Sequence, residues 1–173
     1  MKEEVFTVVN KDDQPIGKAT RSEVHGNPEL IHRVSHVLVF NSNGQLFLQK
    51  RGPQKDVQPG KWDTSVGGHV DLGEDYQDAA LRETREELGF EPVTIEFLYK
   101  YLHSNNFESE YVSTFSCVWD GPIITNLEEI SEGRFWTISE IEGRAKEQVF
   151  TPNFLDELQR YQHFINDNKQ LKK

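Results

Sequence analysis

Apolar residues fall along this chain with two different spacings, and where the spacing changes an element ends. Val5 to Asn10 is a β-branched run with weak alternation that reads as a first strand, and Asp12-Asp13-Gln14-Pro15 is the turn after it. Ile16 to Leu30 has no clear period; within it Arg21 to His25 reads as a short helix or as a loop that crosses the site. The run HRVSHVLVF, then NSNGQ, then LFLQKR predicts a hairpin, with strands Val34 to Phe40 and Gln45 to Arg51 around a turn at Asn41 to Gly44. Their near-continuous apolar character predicts central strands covered on both faces. Asp63 to Val66 and Val93 to Tyr101 read as strands, as does Glu110 to Trp119, with Tyr111, Ser113, Phe115, Cys117 and Trp119 on one face. Arg134 to Trp136 is a short strand, and Ser139 is placed to cap a small helix through Ala145. Thr151-Pro152 opens a last helix with the stripe Phe154, Leu155, Leu158, Tyr161 and Ile165, read as core, and Lys169 to Lys173 reads as a frayed tail.

The most informative helix runs from about Asp75 to Leu88. Leu81, Thr84 and Leu88 recur at i, i+3 and i+7, with Ala79 and Ala80 small enough for close packing. Glu83, Glu86 and Glu87 share a different face. Three carboxylates in a partly enclosed site raise one another's pKa unless a cation offsets the repulsion, and all-oxygen donors suit Mg²⁺ or Mn²⁺. Arg82, with its fixed fork of donors, reads as the partner that orients them. Gly67-Gly68 allows close backbone approach to a phosphate or a turn with positive φ, and Gly89 stands where a helix ends in the left-handed conformation.

Composition narrows the field. With 173 residues the chain has the size of one domain, and 11 Phe, 5 Tyr and 3 Trp supply burial that the modest 35% hydrophobic fraction alone would not. No linker or repeat divides it. A net charge of −10 disfavours nucleic-acid polymers and anionic membranes as partners, but leaves room for a small phosphorylated ligand arriving with a metal. No apolar run approaches a membrane span, Met1-Lys2-Glu3-Glu4 does not open a signal peptide, and Cys117 has no partner for a disulfide. A cytoplasmic protein is the expectation, with monomer and homodimer both open.

Gly68, five residues, Glu74, seven residues, Arg82-Glu83, two residues, Glu86-Glu87, one residue, Gly89 and Phe90 together resemble the signature of the Nudix hydrolases, box 68–90. Thr84 alone departs from it, standing where the family usually has an aliphatic residue. The resemblance implies an α/β fold, a Nudix-type α/β/α sandwich with a mixed β-sheet, formed by the whole chain 1–173 as a single domain. It implies a Mg²⁺-dependent hydrolase, with Mn²⁺ as an alternative ion, acting on a nucleoside diphosphate linked to X or a related diphosphate. Glu83, Glu86 and Glu87 would hold metal, with Glu86, Glu87 and Arg82 serving catalysis. The general base is open among Glu86, Glu128, Glu129 and Glu132. Arg51 and Lys55, with Gly67 and Gly68, would contact substrate; Arg33 is a further candidate to hold phosphate oxygens, and Trp62, Phe107 and Tyr111 are candidates to stack on a base.

The segments EVH, HRVSHVLVFN and LFLQKR also resemble the branch that contains type 1 isopentenyl-diphosphate isomerases. In those enzymes three histidines and two glutamates hold a metal, and the matching positions here are His25, His32, His69, Glu108 and Glu110. They also use a cysteine before the box, and at that position stands Gly67. Cys117, seven residues from Glu110 along one strand and on the opposite face, is no substitute. Hydrolysis is therefore the favoured reading. An isomerase-like enzyme and a non-catalytic nucleotide sensor are the alternatives.

Overall fold

In the computed structural model, residues 3–55 and 57–171 are described; the opening Met1-Lys2 and the closing Lys172-Lys173 of the tail lie outside them. Nine strands form one mixed sheet: β1 Val5–Val9, β2 Pro15–Thr20, β3 Ile31–Phe40, β4 Leu46–Arg51, β5 Trp62–Asp63, β6 Val66–His69, β7 Glu96–Ser104, β8 Ser109–Val118 and β9 Ile130–Trp136. Among the described residues four α-helices, α1 Arg21–Val24, α2 Tyr76–Leu88, α3 Ile138–Arg144 and α4 Pro152–Leu171, and a short 3-10 helix, Ala145–Glu147, accompany them. One core layer lies under α2, where Val37, Phe47, Val66, Phe115 and Cys117 meet Ala80 and Leu88. The other lies under α3 and α4, where Leu38, Leu46, Leu48 and Trp136 meet Ile141, Phe154 and Leu158. The α/β/α sandwich is thus as the resemblance implies.

Strand β3 is the hub. Along one edge it pairs in parallel with β8 over its whole length, Ile31↔Ser109 through Phe40↔Val118. Its other edge is divided among β1 at Ile31, β6 from Val34 to Val37 and β4 at Phe40. The predicted hairpin is therefore corrected: β3 and β4 meet only at Phe40↔Leu46. The turn itself is as read, with Asn41 Oδ1 accepting from the Asn43 and Gln45 amides at 3.1 and 2.9 Å. Beyond it β6 occupies the edge that β4 would need, and β4 pairs instead with β5 and β9. Even-numbered residues of β3 point toward α4 and odd-numbered ones toward α2, since Leu38 and Val37 belong to the two separate cores.

Several other boundaries move. The stretch without a period contains β2, whose residues are mostly exposed and so need no alternation. Arg21–Val24 is a short helix, not a loop. Thr137, not Ser139, caps α3: it accepts from the Glu140 amide at 3.1 Å while Glu140 accepts from the Thr137 amide at 2.7 Å, a reciprocal cap that needs a glutamate three residues on. Leu81 is half-buried where full burial was expected, because the buried side of α2 runs through Ala79, Ala80, Thr84, Glu87 and Leu88. Lys169 belongs to α4 and is no part of a frayed tail.

At the start of α4, Thr151 Oγ1 accepts from the Phe154 amide at 3.1 Å and donates to Asp63 Oδ1 at 2.9 Å, so it caps the helix and ties it to β5. Thr151→Ala should lower stability to urea by about 1 to 2 kcal/mol and Thr151→Ser by much less; equal losses from both would show that the hydroxyl is not what holds this end.

Candidate functional site

Helix α2 starts at Asp75, whose side chain accepts from the Asp78 amide at 2.8 Å, and stops at Gly89, φ 70°, whose amide donates to Arg85 O. Both ends are set by short-range chemistry. Between them Arg82 grips Glu74 with two bonds of 2.9 Å, reaches Glu83 at 2.6 Å and Glu86 at 3.4 Å, and donates to His69 O at 3.0 Å. Glu74 also accepts from the Asp71 amide at 3.0 Å. The Arg82 fork holds the Glu74 carboxyl below its usual range, and Glu74 in turn raises Arg82. Thr84 is fully buried without cost to polarity, since its hydroxyl donates to Ala80 O at 2.7 Å.

Glu83 and Glu87 face the sheet. Glu87 is 7% exposed; its Oε2 accepts from Gln49 Nε2 at 2.9 Å and from the Gly67 amide at 3.3 Å. Burial, and then the charge of Glu83, push the Glu87 carboxyl up to about 8. Burial likewise pushes Glu83 up to about 7 against the pull of Arg82. Glu86 is exposed. Neither Gly67 nor Gly68 has positive φ, which removes the turn from the two roles considered for them; both lie within β6. What Gly68 supplies is room: a Cβ on it would fall 2.1 Å from Glu83 Cδ. Gln49 was missed in the sequence, although a lone amide inside the apolar run LFLQKR was the available signal.

The basic residues expected to meet phosphate are paired. Arg51 donates to Val57 O at 2.9 Å and Asp63 at 3.2 Å, and Lys55 meets Glu129 at 2.8 Å. Glu129 is close enough for its charge to raise both Glu83 and Glu87. Glu132 is opposite Lys50 in the β4–β9 register and pairs with it, on the face away from Gln49 and Glu87. Arg33 is engaged elsewhere, on Asp13 at 2.7 Å and against the Tyr76 ring. Tyr111 donates to Lys11 O, and Trp62 is buried under α4. Phe107 packs on the His25 ring, centroids 5.6 Å apart.

A second group assembles on the α4 side of the sheet. His32 and Glu110 are partners in the β3–β8 register, and β6 brings His69 beside them. Donor atoms of His25, His32 and His69 lie within 4.8 Å of one another, as do those of His32, Glu108 and Glu110. His25 Nε2 is 3.4 Å from His69 Nε2 and 3.5 Å from Glu108 Oε2. His32 is completely buried, and although Nε2 lies 3.4 Å from Glu110 Oε1 the alignment makes no hydrogen bond, so both ring nitrogens are unpartnered among the described residues. Burial, with neighbouring positive charge, lowers His25 and brings His69 down to about 3, which leaves both imidazoles neutral. Burial and the Glu110 charge push Glu108 up to about 7; Glu110, raised by burial, is held below its usual range by His32. Unpartnered imidazole nitrogens beside crowded carboxylates are the donor set a dication satisfies.

The NUDIX domain family model matches residues 30–158. An uncharacterized Nudix hydrolase from Pseudomonas aeruginosa is 35% identical over 158 residues, covering 91% of this chain and 93% of that one. Isopentenyl-diphosphate Delta-isomerase 2 of Photorhabdus laumondii is 37% identical over 134 residues, 75% of each chain. Among solved structures, DR0079 from Deinococcus radiodurans superimposes with a TM-score of 0.79 at 30% identity, over 91% of this chain and 98% of that one. The matched span contains the carboxylate helix, the glycine strand it faces and the hub strand β3, and on these grounds the chain belongs to the Nudix family.

Proposed function

We propose that the chain is a Mg²⁺-dependent hydrolase, with Mn²⁺ as a substitute, that cleaves the diphosphate bond of a nucleoside diphosphate linked to another group X or of a related diphosphate. The observation that carries this reading is the pair Glu83 and Glu87, enclosed against glycine backbone and pushed up to about 7 and about 8. Such a pair keeps protons near neutrality unless a dication takes their place. Glu83, Glu86 and Glu87 would hold the ion, which when bound neutralises diphosphate oxygens and acidifies the attacking water. Arg82, anchored on Glu74, keeps Glu83 turned toward Gly68. Arg51 and Lys55 bind phosphate oxygens, and Gly67 and Gly68 leave the approach open. When Lys55 turns to the substrate it releases Glu129, which is the best placed of the candidate bases, since its charge reaches both Glu83 and Glu87.

A second reading has one observation in its favour: His25, His32, His69, Glu108 and Glu110 do come together, and the donor set suits Mn²⁺, Mg²⁺ or Zn²⁺. On that reading the enzyme moves the double bond of isopentenyl diphosphate and releases no phosphate. Gly67 offers no thiol for it. Cys117 lies in the core under α2, its thiol pushed up to about 11 by burial, so hydrolysis is preferred.

A panel of nucleoside diphosphate derivatives and isopentenyl diphosphate, scored for phosphate products and for isomer, separates the two; a non-catalytic sensor would bind members of the panel and turn over none. Glu87→Gln should cut hydrolysis at least about a hundredfold while retaining a cooperative unfolding transition. Unchanged turnover would remove Glu87 from the mechanism.

Metal-free protein provides a further test. Because the folded-state pKa values of Glu83 and Glu87 are raised, the stability they contribute is full below the ordinary glutamate value of about 4.3 and is lost as pH rises through about 7 and about 8. In EDTA, the Tm of wild type relative to Glu87→Gln should therefore fall between about pH 5 and about pH 8, and Mg²⁺ should reverse the trend. A pH-independent difference would mean that Glu87 is ionised throughout.

A further inference from the structure

The α4 side of β6 contains a second buried carboxylate that the proposed hydrolysis does not use. Glu157 in α4 has no solvent exposure. Its Oε1 accepts from Tyr99 Oη at 2.5 Å and Thr114 Oγ1 at 2.9 Å, and its Oε2 accepts from Tyr101 Oη at 2.6 Å and His36 Nδ1 at 2.8 Å. Four donors offset the heavy cost of desolvating the charge. Two tyrosines and a threonine are satisfied by this arrangement; the imidazole is not. His36 Nε2 has no hydrogen-bond partner among the described residues, and 15% of the side chain reaches solvent.

Where that nitrogen stands gives it a use. His36 is the register partner of Gly67 across the β3–β6 pair. A Cβ on Gly67 would lie 3.2 Å from His36 Cδ2 and 3.4 Å from Nε2, so the edge of the ring occupies the space a side chain at 67 would take. The Gly67 amide, on the edge of β6 away from β3, donates to Glu87, and the opposite, bare face of Gly68 backs Glu83. A network that served only to tie α4 to the sheet would need neither a free ring nitrogen nor a glycine opposite it.

We propose that His36 is a substrate-binding residue: its Nε2–H, aimed by the Glu157 contact at Nδ1, donates a hydrogen bond to an anionic oxygen of the diphosphate compound lying along the edge of β6 at Gly67 that no strand pairs among the described residues. Glu157 is the positioning residue. This rests on the site being a diphosphate cleft and is independent of whether the bond is cleaved. Around the pair stand Tyr99 and Tyr101 from β7, Thr114 and Glu110 from β8, and Asp63 from β5. Burial alone would strip the proton from His36, but the Glu157 bond and charge, with Glu110 and Asp63, outweigh it and favour the imidazolium, so Nε2 has a proton to donate.

The experiment is ring-nitrogen NMR on ¹⁵N-histidine protein titrated with α,β-methylene-ADP and with methylenediphosphonate, each with Mg²⁺. The His36 Nε2 resonance should move as ligand binds, and that of exposed His163 should not. His36→Asn keeps a donor toward Glu157 and removes Nε2; it should weaken analogue binding roughly ten- to a hundredfold without lowering the unfolding midpoint to match. Glu157→Gln should bind more weakly as well, with the His36 titration moved to lower pH. An Nε2 resonance indifferent to saturating ligand overturns the proposal, and it does so even if His36→Asn fails to fold. Binding with the expected shift but no hydrolysis of any diphosphate would leave His36 in place and discard the hydrolase; hydrolysis without the shift would do the reverse. Failure to bind either analogue at millimolar concentration overturns both.

Discussion

Strand β6 has to be thin. At Gly68 a hypothetical Cβ would collide with Glu83 on one face, at Gly67 it would press on the His36 imidazole on the other, and between them the Gly67 amide reaches Glu87. Side chains here would push α2 off the sheet or force the carboxylates into solvent, where their protons and any affinity for a dication would change together. The rest of the arrangement follows from that spacing. Gln49 and the Gly67 amide can reach Glu87 because nothing intervenes, and Arg82 can reach Glu83 without losing Glu74.

The molecule handles its acidic groups in two contrasting ways. Glu74 and Glu157 are buried or half-buried with full complements of donors, and both are held ionised, Glu74 by Arg82 and Glu157, against burial, by His36. Glu83, Glu87 and Glu108 are enclosed with too few donors and are pushed the other way. The first kind fixes geometry; the second kind stores demand for positive charge. Arg82 joins the two kinds, holding Glu74 beside α2 and reaching Glu83 within it, and makes no hydrogen bond to Glu87.

The carboxylate helix was legible because helical spacing places Glu83, Glu86 and Glu87 without reference to the rest of the fold, and its ends depend on residues immediately beside them. The grouping of His25, His32, His69, Glu108 and Glu110 was legible only through family resemblance, since strand register decides which of them meet. Pairing of β4 was misread for the same reason: the turn Asn41 to Gly44 is local, but the competition between β4 and β6 for one edge of β3 is not. Glu157 and His36 went unnoticed. An apolar stripe from Phe154 to Ile165 reads as core whatever interrupts it, and a charge at Glu157 means something only when two tyrosines, a threonine and a histidine from three distant strands arrive opposite it.

The parallel pairing of β3 with β8 also orders events in time. His32 and Glu110 sit in register, yet α2, β6 and β7 all lie between them in the chain, so the loop that must close is long and its closure slow. A chain still on the ribosome with β8 unmade has the histidines but no glutamates to complete the group. Any ion captured there rewards a fold already finished and slows its opening, and it offers no guidance to the chain on the way.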